Sequence, residues 1–222
     1  MVSSETFLLI YDISLYANIA CVILSLVLLK YQAKRDRLII IYLILSVLCD
    51  LFSEMLPRVF DIKNTNYIAN LWTFMEFITL TLFYSFVREL KLSRKYHIKT
   101  IFAFTIVCLI IFLQFKSVYD FVNLHKIVSA LYYSTLSIYL FYQFLVNVDN
   151  NLIRTSIFWQ NTGIFFYFTG NILIFLMLDY LLSEDFSFLN VGWGIHNMLT
   201  IIKTVCFATA FIINFKYRRL ND

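Results

Sequence analysis

Asp50, Glu54, Glu76, His196 and Lys203 are ionisable, and all five fall inside long apolar runs of the chain. Acids, an imidazole and an amine in such surroundings can hold an ion or a small ligand, relay protons, or tie helices together by hydrogen bonds. Asp50 and Glu54 are four residues apart, so a helix carries them on one face. His196 and Lys203 are seven apart, with Thr200 between them on the same stripe. Glu76 has Thr73 one turn away, and Asn171 and Tyr132 or Tyr133 reach similar depths in their own runs. The spacing predicts that Asp50, Glu54, Glu76, Asn171, His196 and Lys203 converge on one polar pocket. That pocket would bind a ligand or ion near the midplane and outer half of a membrane.

A charge at the centre of a membrane helix costs about 2.5–3.5 kcal/mol, so these groups are expected to face inward and pair, Glu76 with Lys203 foremost. Three acids against one lysine leave an excess of negative charge. Desolvation is then expected to keep at least one carboxylate protonated, or to draw in a cation or cationic ligand. The plainer reading makes the same groups structural ties between helices. Glu54 and Pro57 approach the outer interface, where His196 reads equally well as a wetted residue. Gly163 and Gly170, seven apart with Tyr167 between them, predict close helix packing.

The elements that must position these side chains follow from composition. Of 222 residues, 61% are hydrophobic and 14% charged, against about 45–50% and about 25% in soluble domains. Seven apolar runs, at about 11–30, 38–57, 67–88, 98–116, 125–147, 156–180 and 192–215, are near or above the roughly 20 residues a membrane helix needs. Hydrocarbon offers backbone amides no water, so the runs must be helices, and the fold class expected is an all-α, polytopic seven-transmembrane-helix bundle, one transmembrane domain over 1–222. Residues 1–10 carry Glu5 and no Lys or Arg, unlike a signal peptide, so the first helix is expected to stay in the mature protein. Cys21, Cys49, Cys108 and Cys206 sit in apolar segments and read as small buried hydrophobes.

Orientation comes from the basic residues flanking the spans. Lys30, Lys34, Arg35, Arg37, Arg88, Lys91, Arg94, Lys95, Lys99, Arg154, Lys216, Arg218 and Arg219 fall on one side, and Arg58, Lys63, Lys116 and Lys126 on the other. Thirteen against four predicts an outside N-terminus and a cytoplasmic C-terminus. The basic face suits topology and anionic lipid, with no nucleic-acid partner. Trp72, Trp159 and Trp193, toward the span ends, read as interfacial anchors. Only 4 Gly and 1 Pro are present, which argues against the broken helices of many transporters.

The three His form no H-x-x-x-H pair, and neither H-E-x-x-H nor G-x-S-x-G occurs, so no metal or catalytic residue is named and an intramembrane enzyme ranks third. Lys203 in the seventh run with Glu76 in the third resembles the Schiff-base lysine and counter-ion of microbial rhodopsins, which would imply retinal on Lys203. The chain departs from that pattern: the sixth run reads FWQNTGIFFYFTGN with no proline, and no Arg precedes Glu76 in the third. The cofactor is therefore left unassigned.

The segments NLWTFMEFITLTLFY (70–84), FWQNTGIFFYFTGN (158–171) and WGIHNMLTIIKTVCFATAF (193–211) resemble a family of small multi-helix membrane proteins of Bacteroidota. The resemblance implies this fold and a bacterial inner-membrane location, and gives no residue a role. The function expected is non-enzymatic: a receptor-like sensor or accessory subunit in the lipid bilayer. With no connection long enough for an output domain, it would signal through a membrane or cytoplasmic protein partner or a second copy of itself. The alternative is a proton- or cation-coupled transporter or channel using Asp50, Glu54 and Glu76.

Overall fold

The computed structural model describes residues 4–61, 64–115, 123–146, 152–183 and 186–219, and every regular element among them is helical. Seven α-helices follow one another: α1 Ser4–Val27, α2 Lys34–Phe60, α3 Asn66–Ser85, α4 Arg94–Phe115, α5 Leu124–Val146, α6 Ser156–Ser183 and α7 Phe186–Arg219. Short 3-10 turns at Leu29–Tyr31, Arg88–Leu90 and Leu152–Arg154 lie in three of the connections. Each apolar run coincides with one helix, and several helices overshoot their run. α1 begins at residue 4 rather than 11, and α7 at 186 rather than 192, because an apolar run measures the hydrocarbon slab while helical hydrogen bonding continues past it. α2 stops where Asp61 turns left-handed at φ 53°, a conformation Asp tolerates better than most residues. Lys63, Lys116 and residue 147, used above for orientation and span ends, lie outside the described residues.

Among the described residues three helices are long and apolar enough to cross a membrane: α1 over Leu8–Val27, α2 over Lys34–Phe60 and α7 over Val191–Arg218. α3, α5 and α6 interrupt their runs with polar side chains, such as Asn70, Thr73 and Thr81 of α3, Ser134, Ser137 and Gln143 of α5, and Gln160, Asn161 and Asn171 of α6. All nine are buried. The outward faces are apolar instead: Leu113 of α4 is 79% exposed, Leu145 of α5 74%, and Leu173 of α6 is also exposed. Polar side chains inside and leucines outside invert the pattern of a water-soluble bundle and match one solvated by lipid.

The chain divides into two compact units, one of residues 1–33 with 130–222, the other of residues 34–129. In the first, α7 packs on both α6 and α1. Contacts between α6 and α7 step in opposite directions along the two helices, from Gly163 beside Lys203 to Asn171 beside His196, so the pair is antiparallel. α5 is likewise antiparallel to α6: the Asn161 amide donates to the Ser137 carbonyl (3.1 Å), and Tyr133 meets Phe168 with ring centroids 4.8 Å apart. α1 runs parallel to α7. Near its middle the Thr204 hydroxyl donates to Asn18 Oδ1 (2.5 Å); just past its end Asn214 donates to Gln32 Oε1 (2.8 Å) and Tyr31 meets the Phe215 ring edge-on (4.9 Å). In the second unit α3 packs on α2 and α4, and the Phe77 and Phe104 rings stack across α3 and α4.

Candidate functional site

Helical spacing puts Gly163, Tyr167 and Asn171 on one stripe of α6, and His196, Thr200 and Lys203 on one stripe of α7. The two stripes meet. At Gly163 a Cβ would lie 3.0 Å from the Lys203 carbonyl oxygen and 3.3 Å from its Cα, so α7 rests on the bare α6 backbone at the lysine itself. At Gly170 a Cβ would lie 2.6 Å from the tip of Leu199. The close packing that the two glycines predicted is present, and it brings the polar stripes face to face.

One turn along from Gly163, Tyr167 turns its ring face to Lys203, whose Nζ lies 3.8 Å from the ring centroid. Lys203 is 2% exposed. Away from water, such a cation–π contact is worth about 2 kcal/mol or more, close to the cost of a central charge in a membrane helix. One further turn along, the Asn171 amide nitrogen donates to the Tyr167 carbonyl (2.7 Å), which orients its Oδ1 toward His196 Nδ1, 2.7 Å away. That orientation assigns the His196 proton to Nδ1. The imidazole sits among Trp193, Tyr167 and Phe175, with centroids 5.4, 5.6 and 6.4 Å away, and Thr200 donates to its backbone carbonyl (3.0 Å). Trp193, read from the sequence as an interfacial anchor, is thus also a wall of the histidine site. The seam offers an amine, an imidazole and a carboxamide in line, a mixed set of donors and acceptors suited to a polar ligand.

The acids lie in the other unit, and its centre is Glu76 of α3. The Tyr42 hydroxyl of α2 donates to Glu76 Oε1 (2.9 Å), and the Tyr42 ring leans on Trp72 with centroids 5.4 Å apart. Glu76 is 5% exposed. Asp50 is half-buried two turns further along α2 from Tyr42. Glu54 is paired with Arg58, 3.2 Å away and one turn on, in a contact open to solvent. Thus Asn171, His196 and Lys203 lie along one seam, linked through Tyr167. Glu76 has its own partner in Tyr42, and Glu54 is engaged by a neighbour on its own helix.

Several buried polar groups escaped sequence reasoning. Asn18 of α1 could have been found as a carboxamide in mid-run, whereas Tyr42 carries no mark among 15 tyrosines. Lys126, read as a flanking cation, is buried in the first turn of α5. His97, in the first turn of α4 and ahead of its apolar run, is buried with neither ring nitrogen hydrogen-bonded. Burial lowers its pKa below the usual 6.5, favouring the neutral imidazole. No group of three or more His, Cys, Asp or Glu among the described residues stands ready to hold a metal ion. No protein-family model, curated protein or solved structure matches the chain.

Proposed function

We propose that this chain is a non-enzymatic, receptor-like sensor or accessory subunit of a bacterial inner membrane, acting through the polar seam between α6 and α7. The observation that carries the reading is Lys203, an amine buried in a membrane-type helix over the Tyr167 ring, where α7 backbone closely approaches Gly163. A structural tie could be made more cheaply by neutral side chains. A cation on a π face can be drawn off it by an anionic or hydrogen-bond-accepting ligand, and the glycine contact transmits that movement to the helix pair. The connections between helices are short, and the output proposed is a partner protein or a second copy.

The proposed topology is seven spans, with the N-terminus outside and the C-terminus in the cytoplasm. The parallel packing of α1 on α7 supports it, since six successive reversals return the chain to its starting direction. The exposed leucines of α4, α5 and α6 support lipid contact beyond the three most apolar helices. A reporter active only in the cytoplasm, fused after Asp222, tests the orientation, and silence there rejects it.

The function is tested by extracting the tagged chain from native membrane in mild detergent and recording its native mass. A stoichiometric protein or small bound mass is expected, and Lys203→Met should remove it while Glu54→Gln does not. A bare chain would reject the sensor reading, as would a bound mass indifferent to Lys203→Met. A second reading, a proton- or cation-coupled carrier, is favoured by the Tyr42–Glu76 contact, because a buried acid hydrogen-bonded by a neutral donor can exchange a proton. It requires flux in liposomes that Glu76→Gln abolishes.

A further inference from the structure

At the opposite end of the α6–α7 pair from His196, a cavity of about 420 Å³ opens between the 3-10 turn Leu152–Arg154 and the last turns of α7. Its lining residues are Ile153, Arg154, Ile213, Lys216 and Tyr217. Two are cations and three present apolar or aromatic surface. The turn is braced: the Trp159 indole N–H donates to the Ile153 carbonyl (2.8 Å), and the Thr155 hydroxyl to the Leu152 carbonyl (2.7 Å). Arg154 therefore projects from a fixed base at the mouth of α6, a 28-residue helix whose first amides and dipole add positive potential. No Asp or Glu occurs in 152–155 or 212–219 to neutralise the pair. Lys30, beside the Tyr31 ring that meets Phe215, adds a further cation to this end of the unit.

We propose that this cavity binds the phosphodiester headgroup of an anionic phospholipid. The charge selects an anion, and a guanidinium beside an ammonium suits phosphate oxygens, one as a two-pronged donor and the other as a point charge. The volume, within the roughly 300–1,000 Å³ of organic-ligand pockets, exceeds what a bare ion fills. Ile153 and Ile213 then supply a surface for the glycerol and first methylenes. Tyr217 is amphipathic in the way membrane-interface aromatics are. Basic pockets between helices at the cytoplasmic interface meet a leaflet rich in such lipids.

The test titrates the full chain in mild detergent with phosphatidylglycerol or phosphatidylcholine and counts adducts by native mass spectrometry. Phosphatidylglycerol is expected to bind first, and Arg154→Gln with Lys216→Gln to weaken it about 10- to 30-fold. Arg218→Gln, at the same end but outside the lining, should change it little. Ile213→Phe keeps both charges while filling the cavity, so it too should weaken binding, which separates a built site from diffuse attraction. An unchanged melting temperature without lipid shows that the variants are folded. Equal uptake of both lipids would overturn the proposal, as would phosphatidylglycerol binding unaffected by either the double variant or Ile213→Phe. Protection by inorganic phosphate with no lipid adduct would also overturn it, and would mark a site for a free anion.

Discussion

The α6–α7 seam and the α2–α3 pair each bury a group that hydrocarbon would expel, and they stabilise it by opposite means. Lys203 is held by a ring face, a contact that works through area and quadrupole and tolerates sliding. Glu76 accepts a directional hydrogen bond from Tyr42, which angle and distance make or break. The seam is also clasped backbone to backbone at Gly163, whereas Glu76 meets Tyr42 side chain to side chain. A cation on a sliding surface between clasped helices suits a graded response to a ligand. An acid on a directional donor suits an on–off change of protonation.

The largest expected effect comes from Tyr167→Leu, which removes the π face and leaves a hole: a loss of about 3 kcal/mol in unfolding free energy. Adding Lys203→Met should recover much of it, because the stranded charge is gone; a purely additive double variant would break the account of the seam. Tyr42→Phe should cost about 1–3 kcal/mol and lose its effect in a Glu76→Leu background. A cost that persists there would mean that the hydroxyl serves something other than Glu76.

Gly163→Ala should cost about 1 kcal/mol net, since its Cβ meets α7 backbone that cannot rotate away and only part of this is offset by helix propensity. Gly170→Ala should be near neutral although its contact is shorter, because a leucine tip can turn aside. Thermal unfolding of the two variants in one detergent decides this, and the reverse order would contradict the backbone clasp. His97 gives a smaller, pH-dependent effect. Its folded pKa lies below the unfolded value near 6.5, so the unfolded chain binds more protons and stability should fall as pH drops through and below that value. His97→Phe should flatten that slope. Smallest of all, Glu54→Gln should change stability by under about 0.5 kcal/mol, as for other exposed ion pairs.

How far the sequence could be read varies from residue to residue. Asn171, His196 and Lys203 were legible as one group, because sparse polar side chains in apolar runs share stripes that must turn away from lipid. Gly163 and Gly170 were legible as a packing seam for the same periodic reason. Tyr167 was seen only as the residue between two glycines, and Tyr42 not at all, because tyrosines are common throughout the chain. Glu54 shares a helical face with Asp50, and an equally good helical spacing pairs it with Arg58 on its other side.

What the sequence by itself determined is that apolar runs become helices and that the polar side chains within them turn inward, since both follow from the cost of unsatisfied polar groups in hydrocarbon. Only the tertiary structure decided which inward face meets which: Lys203 on Tyr167, Tyr42 on Glu76, α1 parallel to α7, and Arg154 beside Lys216 around a cavity. Helical periodicity specifies a direction from each axis. A partner is chosen by shape and hydrogen-bond geometry between residues tens to nearly two hundred positions apart, and no local pattern encodes that choice.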